Sequence, residues 1–164
     1  MTMTAEADQA AGAHRHRLLF VASGGGHLGQ LMALEPWWSG HDRTWVTFDT
    51  ASAAWLGDDR VVFAHQPTTR NIPNLVRNIA LAWRVLHRER PDAVVSTGAG
   101  VALPFFLLAK ALGVRTVYIE VYDRIDSRTL TGRLCRPLSD LFLLQWERQR
   151  ELYGSGTVIG GLYP

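Results

Sequence analysis

Along the chain, short continuous apolar runs alternate with stretches whose apolar residues recur at three- and four-residue spacing. "RLLFVA", from Arg17 to Ala22, has the unbroken apolar character of a strand buried on both faces. "HLGQLMALEPWW" follows with helical spacing and is expected to end near Pro36, because proline disfavours helix in the residue before it. "RTWVTFD" reads as a second strand, "TASAAWLG" as a short helix with a Thr or Ser cap, and "RVVFAH" as a third strand. Beyond the loop "QPTTRNIP" the longest helix runs from Asn74 to the neighbourhood of Arg90. "PDAVVSTG" is the fourth strand, and "VALPFFLLAKALG" is an apolar helix that stops at a C-capping Gly113. "VRTVYIE" and "DLFLLQ" supply a fifth and a sixth strand, with "GTVIGG" a candidate seventh.

This alternation predicts an α/β domain, a Rossmann-like, doubly wound and mostly parallel sheet over residues 17–164, preceded by a disordered polar tail over residues 1–16. Ligands of such sheets collect at the carboxyl ends of the strands, which directs attention to "SGGGH", "STGAG" and "EVYDRIDSRTLTG". In the long helix, Leu75, Ile79, Trp83 and Leu86 share one face, expected to pack on the sheet, while Arg77, Arg84 and Arg88 line another. Those arginines, with Trp37, Trp38, Phe105 and Phe106 elsewhere, could instead meet anionic headgroups at a membrane surface.

Composition narrows the function classes. At 164 residues and 47% hydrophobic content, one domain with a real core is affordable. The formal net charge of +2 is too slight to predict nucleic-acid binding, and the positive charge is almost all arginine, Lys110 being the sole lysine. Cys135 is the single cysteine, so neither a disulfide framework nor a thiolate metal cluster is expected, and the six histidines are too scattered for a metal site. The longest apolar stretch, Val101 to Val114, falls short of the roughly 20 residues of a membrane span and carries Pro104 and Lys110. The amino-terminal residues lack the apolar middle region of a signal peptide.

Three loops carry the candidate chemistry. Glycines at a strand-to-helix turn let an anion approach backbone N–H groups, but "SGGGHLGQ" lacks the Lys-Ser/Thr pair of a Walker A loop. Gly24, Gly26 and Gly29 match the dinucleotide fingerprint loosely, with Asp49 where an acid is wanted; a tight turn that binds nothing is the plain alternative. His27, at the helix start, is either a neutral proton acceptor whose pKa the helix dipole lowers, or a capping residue. Ser96–Gly100 forms a second glycine turn. Glu120 ends the fifth strand, and Arg124 and Arg128 follow; an acid and two arginines suit sugar hydroxyls and phosphate, or pair with one another.

"VASGGGHLGQLMAL", "STGAGVALPFFLLAKALGVRTVYIE", "DSRTLTGRLCRPLSDLFLLQW" and "GGLYP", in this order, resemble bacterial relatives of the ALG-fourteen oligosaccharide biosynthesis family. The resemblance implies the amino-terminal half of a GT-B glycosyltransferase, split so that an ALG-thirteen-like sugar-nucleotide-binding subunit carries the UDP-sugar donor. The implied reaction transfers a sugar, N-acetylglucosamine or another hexose, to a lipid-diphosphate-linked acceptor in polysaccharide assembly. It further implies His27 and Glu120 as catalytic residues and Gly24, Gly25, Gly26, Gly98, Ala99 and Gly100 at the acceptor's diphosphate. Arg124, Ser127, Thr131, Gly132, Gln145 and Trp146 would line the cleft or the partner interface. No metal or cofactor is expected on this chain, and no nucleic-acid partner. Eukaryotic members carry an amino-terminal membrane helix where this chain has a polar tail. A peripheral place at the inner face of the plasma membrane is therefore expected, with the isolated chain inactive. A dinucleotide-binding domain and a non-catalytic scaffold for the partner remain the competing readings.

Overall fold

The computed structural model describes residues 14–163. Most of the segment read as a polar tail lies outside them. His14–His16 fall within, where the His16 carbonyl accepts from Asp42 N–H and Arg15 pairs with Asp42. The strands are β1 (Arg17–Val21), β2 (Asp42–Thr47), β3 (Arg60–Phe63), β4 (Ala93–Ser96), β5 (Arg115–Ile119), β6 (Leu141–Leu144) and β7 (Thr157–Val158). All pair in parallel, in the order β3-β2-β1-β4-β5-β6-β7. The strand order reverses between β1 and β4, and the crevice at their carboxyl ends is where doubly wound sheets bind ligands.

The unbroken apolar run of β1 follows from burial on both faces. Leu19 and Val21 point to the side covered by α3 (Ile72–Glu89) and α4 (Ala102–Ala111), among Leu81, Val85, Phe105 and Phe106. Leu18 and Phe20 point to the side of α1 (Gly26–Met32) and α2 (Glu35–Trp38), among Leu28, Leu31, Trp38 and Trp45. Successive strand residues face opposite ways, so a central strand between two helical layers is apolar on both faces, here from Leu18 to Val21.

The helix expected to run to Pro36 is two helices. Ala33 and Leu34 separate them, and Pro36 sits in the first turn of α2, where its missing N–H costs nothing. The segment after β2 is a 3₁₀ helix, Ala51–Leu56. The structure adds two short helices that the sequence reading does not name, α5 (Leu130–Cys135) and α6 (Glu147–Tyr153).

α3 keeps Leu86 inward as expected but turns Leu75, Ile79 and Trp83, the rest of the expected face, outward. It starts at Ile72 behind an Asn71 cap, and Ile72, Leu75, Val76, Ile79 and Trp83 are exposed. The inward face holds Asn74, Asn78, Leu81, Ala82, Val85 and Leu86. Two asparagines set this rotation: Asn78 bonds both the N–H and the C=O of His65, and Asn74 donates to the Pro67 carbonyl, all at 2.9 Å. Turning the apolar stripe inward would leave those loop groups without partners, at about 1–3 kcal/mol each. Trp38, Phe105 and Phe106, considered above as membrane contacts, are buried; Trp37 is exposed.

Candidate functional site

The three glycines after β1 answer to different requirements. A Cβ on Gly24 would collide with Thr50 Oγ1 and stand 2.6 Å from Ser52 Oγ, so the 3₁₀ segment after β2 demands glycine there. Gly25 has φ +65°, and its N–H donates to Ser52 Oγ at 2.9 Å, so this amide already has a partner. Gly26 faces open space. Asp49, exposed, follows β2 on the same side.

His27 is held between α1 and the β4 turn. Its Nδ1 lies 3.0 Å from the Thr97 carbonyl, and Thr97 Oγ1 donates to the His27 carbonyl at 2.7 Å. A carbonyl only accepts, so Nδ1 carries the proton, and Nε2 of the neutral ring is an acceptor with no partner among the described residues. Burial pushes the imidazole below its usual pKa, against the opposing pull of the Thr97 carbonyl and the Asp123 charge. The ring is therefore neutral near pH 7.

The Ser96–Gly100 turn packs against this imidazole. Gly98 has φ +108°; a Cβ there would stand 2.6 Å from Tyr118 Oη and 3.6 Å from His27 Cε1. Ser96 Oγ accepts from Gly98 N–H at 2.9 Å, and Ala99 follows with φ +65°. Gly100 turns instead toward Thr68, 2.8 Å from where its Cβ would be. A cavity of about 190 Å³ opens here, lined by His27, Ala99, Tyr118, Val121, Asp123, Arg124, Thr129 and Thr131. Larger hollows lie elsewhere. One of about 620 Å³ sits at the amino-terminal strand edge, lined by charges that pair among themselves, such as Arg43–Asp59 and Arg60–Glu89. The chemistry converges on the smaller one.

Several expected site residues take other places. Glu120 is fully buried; it accepts from Tyr153 Oη, Thr129 Oγ1 and Val121 N–H, so it ties down the loop it begins and does not face the cavity. Burial raises its pKa, opposed by those hydrogen bonds. Gly132 is buried against the same group, where a Cβ would collide with Glu120 and Tyr153. Gln145 is buried beneath the loop, and the half-buried Trp146 gives its indole N–H to the Tyr122 carbonyl. Arg124 and Thr131 do line the cavity with His27, and Ser127 is exposed on the loop. Sequence reasoning missed Thr97 as the partner of His27, Asp123 as its nearby charge, and Gln30, Gln149 and Tyr153. Only the last two carried a signal, one helical turn apart in "RQRELY".

The fold and the crevice define a Rossmann-like half of the GT-B type. Solved structures agree on that fold. Acinetobacter baumannii MurG superposes with a TM-score of 0.72 at 18% identity, covering 88% of this chain and 45% of that one. A UDP-N-acetylglucosamine 2-epimerase from Rickettsia bellii gives 0.67 at 17%, covering 88% and 43%. The chain belongs to the family described as "Oligosaccharide biosynthesis protein Alg14 like", whose model matches residues 59–162. Among its relatives, the human UDP-N-acetylglucosamine transferase subunit ALG14 is 30% identical over 86 residues, 49% of this chain and 40% of that protein. The Candida albicans subunit of the same name is 26% identical over 161 residues, 84% of this chain and 74% of that one. The chain thus spans about two fifths of the human relative's length.

Proposed function

We propose that this chain is the acceptor-binding subunit of a heteromeric glycosyltransferase. It transfers a sugar, N-acetylglucosamine by analogy with the named relatives, from a UDP-sugar to a hydroxyl of a lipid-diphosphate-linked acceptor. The observation that carries the reading is His27: a neutral imidazole with Nδ1 committed to Thr97 and Nε2 free, beside a cavity between two glycine turns at the β1/β4 switch point. Nε2 takes the acceptor hydroxyl proton as the oxygen bonds to the sugar's anomeric carbon and the bond from that carbon to UDP breaks. The UDP charge is met by the donor-binding half on a second polypeptide. The Gly26 opening and the Gly98–Ala99 turn flank the acceptor's diphosphate, with the Arg124 guanidinium at the cavity as its counter-charge.

The test is reconstitution with a UDP-sugar-binding half, measuring transfer of labelled N-acetylglucosamine to a polyprenyl-diphosphate acceptor. His27→Ala lowers turnover by about 10²–10⁴-fold while the complex still assembles. Turnover within a few-fold of wild type removes His27 from catalysis and favours the scaffold reading.

The subunit works at a cytoplasmic membrane surface, docking through the outer face of α3. Among the described residues no helix is long and apolar enough to cross a membrane. Ile72, Val76, Ile79 and Trp83 form one exposed stripe, 73%, 59%, 38% and 53% accessible, and Arg77, Arg84 and Arg88 flank it. An apolar stripe bordered by arginines suits acyl chains beneath anionic headgroups.

A further inference from the structure

The segment from Val121 to Thr129 is exposed over most of its length, yet buried side chains of other elements fix its backbone from beneath. Tyr122 N–H donates to Gln30 Oε1 of α1 at 3.0 Å. Gln149 Nε2 of α6 donates to the carbonyls of Val121, at 2.8 Å, and Arg124, at 3.3 Å. Gln145 joins the two: its Nε2 donates to Gln30 Oε1 at 2.6 Å and to the Glu120 carbonyl at 3.0 Å, and its N–H donates to Gln149 Oε1 at 2.8 Å. Trp146 adds its indole bond to the Tyr122 carbonyl at 2.8 Å.

All three glutamines are buried. Buried amides are tolerated only when paired, and here each oxygen faces donors and each nitrogen faces acceptors. Sheet closure does not require them, because β5 and β6 pair through their own ladder. What the amides join is specific. Gln30 lies one turn beyond His27 on α1, and the loop held by Gln30 and Gln149 bears Asp123 and Arg124, which line the cavity with His27.

We propose that Gln30, Gln145 and Gln149 are positioning residues, a buried amide chain that sets the spacing between the His27 helix and the loop carrying Asp123 and Arg124. The proposal rests on the transferase reading of the site. In it the loop is a preformed wall of the acceptor cavity, and α6, which does not itself line that cavity, sets where the wall stands relative to His27.

The variants are Gln149→Met, which keeps the side-chain length and removes four hydrogen bonds, and the milder Trp146→Phe, which removes one. In the reconstituted complex Gln149→Met lowers kcat by about 10–100-fold, the scale of a misplacement near 1 Å. NMR of the full chain adds two readouts that general destabilisation does not produce. The His27 titration moves up toward its unperturbed value as the loop lifts, and the Tyr122 amide exchanges faster while β1 and β5 amides keep their protection. Trp146→Phe shifts both in the same direction by less. An unmoved His27 titration or an unchanged kcat in the folded variants overturns the proposal, as does a loss that tracks uniform acceleration of exchange across β1 and β5. The two readings separate: His27→Ala without effect on transfer refutes the base, whereas an unmoved His27 titration in Gln149→Met refutes the positioning role.

Discussion

Tyr153→Phe tests how the loop at the site is held, and its size can be worked from the contacts. The hydroxyl does two jobs: it donates to Glu120 Oε2 and accepts from Thr129 N–H at 3.1 Å. Phenylalanine keeps the ring's edge-on contact with Phe142, 5.0 Å between centroids, so packing is preserved and only polar terms change. One hydrogen bond to a carboxylate goes, worth about 1.5–3 kcal/mol, and Thr129 N–H loses its partner, a further cost of about 1–3 kcal/mol. Thr129 borders the cavity, so water offsets part of the second term. The expected loss is about 2–4 kcal/mol, or about 5–15 °C in Tm for a domain of this size. Urea and thermal unfolding of the isolated chain measure it. The pH dependence follows from Glu120, whose folded pKa lies above its ordinary value. A raised carboxyl pKa favours the native state below the unfolded value and loses that advantage as pH rises through the folded value. Removing the Tyr153 bond raises that pKa further, so the variant is more strongly destabilised at pH 7 than at pH 4. A loss below about 1 kcal/mol, or one independent of pH, would refute the reasoning.

Other outcomes follow from the same geometry. The acid limb of kcat/KM for the reconstituted enzyme reflects His27: its pKa is lowered by burial, so the base stays unprotonated down to a pH below its ordinary value, and the limb falls below pH 6.5. A limb at or above that value contradicts the assignment. Gly132→Ala costs about 1–3 kcal/mol by overpacking against Glu120, Tyr153 and Thr129, read by denaturant unfolding; a neutral result would mean that this group yields. Ile79→Glu with Trp83→Glu changes stability by no more than about 0.5 kcal/mol per site, since both are exposed. The same pair abolishes sedimentation with vesicles containing phosphatidylglycerol, and retained binding would exclude α3 as the docking face.

Much of the architecture was legible because strand and helix periods are local properties. Each of the strands β1 to β7 falls within a segment marked by apolar runs and turn residues, and the unbroken run in β1 announces burial on both faces. The glycine turns, with His27 beside them, stood out for the same local reason: only particular residue types permit a tight turn from strand to helix. Other features depended on partners distant in the chain. The rotation of α3 was misjudged because an apolar stripe normally faces the core, and no local pattern reveals that Asn74 and Asn78 are needed inside to satisfy the backbone near His65 and Pro67. Glu120 read as a cleft acid because strand ends carry chemistry, yet its fate is decided by Tyr153, which folds back from α6 to bury it.

The sequence by itself therefore determined the class of fold, the order of its elements and the turns where a ligand would sit. Tertiary structure alone decided which nitrogen of His27 is free, which acid is enclosed and which face of α3 meets solvent. Hydrophobic periodicity repeats within a few residues and can be read along the chain. A buried hydrogen bond is satisfied by whichever group the fold brings near: Thr97 for His27 and Tyr153 for Glu120 lie 70 and 33 residues away.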